Sequence, residues 1–111
     1  MRGDFTATAR TVSVDIRNNI FNNTRTGGTG FHFAIGNNYG AVTSATGWGA
    51  GASDYNVLNA PNPAAIGYWT SNQSFAGWKS VSSCDQFSLS GISATFANPA
   101  IGDLHLNMGV T

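Results

Sequence analysis

Apolar and polar residues alternate along this chain in short bursts. In TVSVDI (11–16), Val12, Val14 and Ile16 share one face and Ser13 and Asp15 the other, the period-two pattern of a half-buried strand. NNIFNN (18–23) sets Ile20 and Phe21 between two Asn-Asn pairs and reads as a short strand between polar turns. GFHFAIG (30–36) alternates Phe31, Phe33 and Ile35 against His32 and Ala34, with a glycine at each end. SDYNVLN (53–59), with Tyr55 and Val57 on one face, IGYW (66–69), FSLSGISATF (87–96) and GDLHLNM (102–108), with Leu104 and Leu106 inward, supply further strands. GAVTSATGWGAGAS (40–53) reads as loop and APNPAA (60–65) as a turn.

Only one segment has helical spacing. In TSNQSFAGWKSVSS (70–83), Phe75, Trp78 and Val81 recur at every third residue behind a Ser or Asn suited to an N-cap. Gly77 weakens this helix by about 1 kcal/mol, so two turns at most are expected, near residues 73–81.

Short strands divided by Gly, Asn, Ser and Thr, with hardly any two-residue hairpin signals, predict an all-β fold. The expected form is a partial right-handed parallel β-helix of about four coils, with one short helix beside it. Residues 1–111 are read as a single domain. In that setting asparagine has a purpose: it tolerates left-handed backbone at tight corners, and its amide bonds neighbouring main chain or equivalents above and below. The alternative reading makes Asn18 to Asn23 ordinary exposed turn residues.

Composition narrows the function classes. Charged residues are 9% of the chain, glutamate is absent and the formal net charge is zero. Phosphate binding needs a basic excess, so nucleic acid is not an expected partner. A basic membrane patch is missing, and no run approaches transmembrane length. With 41% hydrophobic and 12% aromatic residues, a packed structure is expected rather than disorder. Cys84 is the single cysteine; it reads as a small buried hydrophobe with no activating neighbour. MRGDFTATARTVSVDI lacks the apolar core of a secretory signal.

The ordered series VSVDIRNNIFNN, SDYNVLN, SNQSFAGWKSV and FANPAIGDLHL resembles the C-terminal coils of right-handed parallel β-helix repeat proteins, over roughly residues 11 to 107. The chain departs from that family where Asp85-Gln86-Phe87-Ser88 stands for Asp-x-His-Ser. It departs again where Ala94-Thr95-Phe96 replaces Asp-Pro before Leu-Phe, and it stops before the usual closing segment. The resemblance implies the tail of a larger extracellular or cell-surface bacterial protein and a carbohydrate context. An open-ended β-helix would expose unpaired strand edges, so self-association through the ends, as a homo-oligomer, is expected.

Two functions compete in the sequence. One is a non-catalytic structural or carbohydrate-associated segment, possible polysaccharide included among its partners. The other is a polysaccharide lyase or glycoside hydrolase of the β-helix type; a third reading is a small protein whose open end binds a partner strand. Glycoside hydrolysis needs two carboxylates roughly 5–10 Å apart. Asp4, Asp15, Asp54, Asp85 and Asp103 are unpaired in sequence. Asp54 and Asp103, beside turns, are the weak catalytic candidates, and capping of local N–H groups is the competing role. His32 and His105 alternate with apolar residues and read as exposed; with no adjacent cysteine they make a poor metal site, and no metal or cofactor is expected. TGWGAGAS lacks the lysine and helix of a phosphate loop. The carbohydrate-binding candidates are Trp48, Tyr55, Tyr68 and Trp69, whose ring faces suit sugars; Trp48, in its Gly-rich loop, is the foremost exposed candidate, and Trp78 reads as the helix anchor.

Overall fold

The computed structural model of the chain describes residues 14–37, 48–92 and 95–106. The readings of strand 11–13, of loop 40–47 and of the side chains at 104–106 lie outside the described residues.

Among the described residues nine strands of two to four residues form four small sheets. β1 (Ile16–Arg17) pairs in parallel with β4 (Ser53–Asp54), and β2 (Ile20–Asn22) in parallel with β5 (Val57–Asn59). β3 (Ile35–Asn37) pairs in parallel with β6 (Gly67–Trp69), on which β7 (Asn72–Gln73) lies antiparallel. β8 (Phe96–Asn98) and β9 (Asp103–Leu106) form an antiparallel hairpin. One-turn 3-10 helices occupy Pro63–Ala65 and Pro99–Ile101.

The expected partial parallel β-helix is therefore corrected to a mixed α/β arrangement of two- and three-stranded sheets around one helix. Among the described residues the parallel pairs β1–β4 and β2–β5 are not extended into a larger sheet; an isolated bridge from Val57 to Leu89 and a bond from the Asp85 N–H to the Ser53 carbonyl follow them. Elsewhere the chain reverses. Thr70, at φ 58°, folds β7 back onto β6, and Gly102, at φ 78°, folds β9 back onto β8. Left-handed residues also explain why the strands are short. SDYNVLN, read as one strand, is cut into β4 and β5 by Tyr55 at φ 55°, and Asn18 at φ 58° makes the matching cut between β1 and β2.

Helix α1 runs Phe75–Ser82. Ser74 Oγ accepts from the Gly77 N–H at 3.2 Å as N-cap, satisfying one of the orphan donors of the first turn. Ser83, left-handed at φ 54°, ends the helix by donating its N–H to the Lys79 carbonyl. Trp78 is its buried anchor, whereas Val81 is exposed. Trp78 reaches β6 because position 67 carries no side chain: a Cβ there would stand 2.6 Å from Trp78 Cε3. Trp78, Trp69 and Trp48 meet edge to face, with ring centroids 5.7, 5.8 and 6.1 Å apart. Ile16, Ile35, Leu58, Ile66 and Cys84 complete the core around them.

Candidate functional site

A polar cluster lies inside this core. Asp85 is fully buried, and its Oδ1 accepts from Ser53 Oγ (3.0 Å), Asn56 Nδ2 (3.0 Å) and Ser88 Oγ (2.6 Å). Its Oδ2 accepts from Trp78 Nε1 at 2.8 Å. Asn56 extends the cluster: its Nδ2 also donates to the Ile16 carbonyl (3.0 Å) and Ser53 Oγ (2.9 Å), and its Oδ1 accepts from the Asn19 N–H at 2.9 Å. Ser88 Oγ accepts from the Asn56 N–H at 2.8 Å. A buried carboxylate is tolerated only when its lone pairs are met by donors, and four donors meet this one. The cluster ties β1, β4, α1 and the 84–88 segment together. Its members are enclosed, so its role is to hold backbone rather than to meet a ligand.

Asp54 carries that order to the surface. It is 8% exposed, and its Oδ1 accepts from two main-chain N–H groups, Tyr55 at 2.9 Å and Phe87 at 2.8 Å. One carboxylate oxygen thus fixes two residues far apart in sequence at the same height. Their rings stack, centroids 5.5 Å apart and planes 9° apart, while Tyr55 stays 55% and Phe87 68% exposed. Tyr55 is also the bulkiest residue at positive φ among the described residues. For a side chain with a Cβ this conformation costs on the order of 1–2 kcal/mol, and such strain concentrates at functional positions. The register pairing Arg17 with Asp54 sets Asn18, an exposed residue, level with Tyr55.

The remaining sequence candidates fall elsewhere. Trp48, expected to be exposed, is 2% exposed in the tryptophan cluster, and Trp69 is also buried there; neither ring face is open to a sugar. Tyr68 is half-buried against Phe33, centroids 5.4 Å apart, with Phe31 stacked on Phe33 beyond it. This is a second, separate aromatic surface. Asp103 sits opposite Asn98 in the β8–β9 hairpin, so Asp54 and Asp103 belong to different sheets and no strand register brings them together. Asp15 pairs with Arg17 at 2.7 Å. His32 Nε2 donates to the Gly27 carbonyl at 2.9 Å. Among the described residues no group of three or more His, Cys, Asp or Glu could hold a metal, and no helix is long and apolar enough to cross a membrane.

Phe87 is not among the sequence candidates because it reads only as one apolar position of the alternating strand FSLSGISATF. No local signal marks its partnership with Tyr55, which depends on Asp54 bridging 33 residues of chain. Compared with known protein families, curated proteins and solved structures, the chain matches none.

Proposed function

We propose that this chain is a non-catalytic, carbohydrate-associated module that meets sugar rings on the Tyr55–Phe87 stack, in an extracellular or cell-surface setting. The observation that carries the reading is the exposed, nearly parallel stacked pair whose main chain Asp54 holds in place. Aromatic faces receive the C–H side of pyranose rings while hydroxyls at the ring edge bond to polar neighbours; the exposed Asn18, level with Tyr55 by register, is the neighbour assigned that role. Ring placement by a buried carboxylate is preorganisation, which lowers the ordering cost of binding. The same two N–H bonds at Asp54 Oδ1 give that carboxylate a backbone-holding role.

The test is calorimetric titration of the protein with a panel of soluble oligosaccharides, followed by Tyr55→Ala and Phe87→Ala. An aromatic contact is worth about 0.5–1.5 kcal/mol, so each variant should weaken binding roughly two- to tenfold. Both rings are exposed, so folding should survive. Binding that is absent across the panel, or unchanged in both variants, refutes the proposal. Release of reducing or unsaturated sugar in the same panel would refute the non-catalytic part.

A further inference from the structure

Two strand edges of this protein face away from their partners, and they match each other. On one side, the Leu89 N–H donates to the Asn56 carbonyl (2.8 Å) and the Leu89 carbonyl accepts from Leu58 (2.9 Å). Parallel pairing alternates the direction of main-chain groups, so the Ser88 carbonyl and the Ser90 N–H and carbonyl point outward. On the other side, Val57 donates to the Asn19 carbonyl (2.8 Å) and Asn23 to the Asn59 carbonyl (3.0 Å). The same alternation turns the N–H and carbonyl groups of Ile20 and Asn22 outward. Among the described residues no strand pairs with either edge.

We propose that the β2 edge of one copy adds to the Ser88–Ser90 edge of a second copy, in parallel. The register follows from contacts inside the chain. Phe21 aligns with Leu58, and Val57 with Leu89, so Leu58 aligns with Ser90. Continuing the series sets Phe21 of one copy level with Ser90 of the other. Three hydrogen bonds then form: Ile20 N–H to the Ser88 carbonyl, Ser90 N–H to the Ile20 carbonyl, and Asn22 N–H to the Ser90 carbonyl.

Side chains favour the same occupant. Ile20, Val57 and Leu89 are in register, and Ile20 and Leu89 are exposed, Leu89 by 54%. Adding a copy sets its Ile20 against Leu89 and covers both. Natural edge strands are commonly guarded by Lys or Pro; residues 18–23 and 87–92 contain neither. Zero net charge leaves no long-range repulsion between copies. The contact joins two different surfaces, so it is heterologous and leaves each pair of copies with an unused edge at either end to which more copies add.

Ser90→Pro and Asn22→Pro test this directly, since each removes an N–H for which no partner stands among the described residues. The wild-type mass by light scattering should rise with concentration. Each variant alone should remain a monomer with unchanged circular dichroism. An equimolar mixture should stop at two copies, because only one sound pair of edges remains. Should either proline variant fail to fold, Ile20→Lys and Leu89→Lys, at exposed side chains, must each lower the concentration-dependent mass. A wild-type monomer up to its solubility limit, or a mixture that stays monomeric, overturns the proposal. So does a mixture that grows past two copies.

Discussion

Replacing Asp85 with asparagine isolates one atom of the buried cluster. The amide oxygen can keep the three donors at Oδ1, from Ser53, Asn56 and Ser88. The amide NH₂ must then face Trp78 Nε1–H, which now bonds Oδ2 at 2.8 Å. Two donors point at each other, and a buried indole N–H is left unsatisfied at about 1–3 kcal/mol. The three retained bonds lose their charge, and charge-assisted bonds are roughly twice as strong as neutral ones. Removing a buried charge offsets part of that loss. The net expectation is a destabilisation of about 2–4 kcal/mol. Urea unfolding followed by far-ultraviolet dichroism should move its midpoint down by roughly 1–3 M, with the slope unchanged. The decisive comparison repeats Asp85→Asn in a Trp78→Phe background, where no indole donor exists to orphan. There the substitution should cost about 1–3 kcal/mol less. An Asp85→Asn protein within about 0.5 kcal/mol of wild type, or an equal cost in both backgrounds, would refute the reasoning.

Other substitutions probe the neighbouring parts. Gly67→Ala drives a Cβ into the Trp78 ring and should cost about 1–3 kcal/mol, read as a lowered thermal midpoint. Ser74→Ala removes the N-cap acceptor and should cost about 1 kcal/mol in the same assay. Ser83→Gly, at φ 54°, should instead stabilise by about 0.5–1 kcal/mol; a loss would mean that the side chain contributes more than its backbone geometry. Asp54→Ala leaves the Tyr55 and Phe87 N–H groups without their acceptor. It should weaken oligosaccharide binding by calorimetry although Asp54 is itself buried, and a variant of full affinity would detach it from the site.

The helix was legible because its signals are local: Phe75 and Trp78 at helical spacing and Ser74 as a cap all lie within one short stretch. Short strands were legible at Ile20–Asn22 and Gly67–Trp69, where apolar residues sit between turn formers. The overall arrangement was not, because alternation says which residues can lie in a strand and nothing of the strand's partner. Chain reversal at Thr70 and the β8–β9 hairpin carry no Asn-Gly or Asp-Gly signature. The asparagines have the physical uses read from their type, at different scales. Asn18 takes the left-handed corner, while Asn59 grips the Gly91 N–H and the Ile92 carbonyl. The polar centre was invisible for a plainer reason. Asp85 meets Ser53 and Asn56 across 32 and 29 residues, and nothing near it in sequence announces a buried charge. Trp48 was misplaced because a Gly-rich surrounding suggests exposure, yet small neighbours also let a large ring pack inward.

The tryptophan cluster has a spectroscopic consequence. All three tryptophans of the chain stand in one edge-to-face group, so no second population dilutes their signal. Indoles at these separations share excitation energy, and their strong far-ultraviolet transitions couple into a paired band of opposite sign. Intrinsic emission and that couplet therefore report on a single place, where α1 meets β6. A loosening of that contact would erase the couplet while the rest of the far-ultraviolet spectrum still looked native, which separates local opening of the core from global unfolding without any added label.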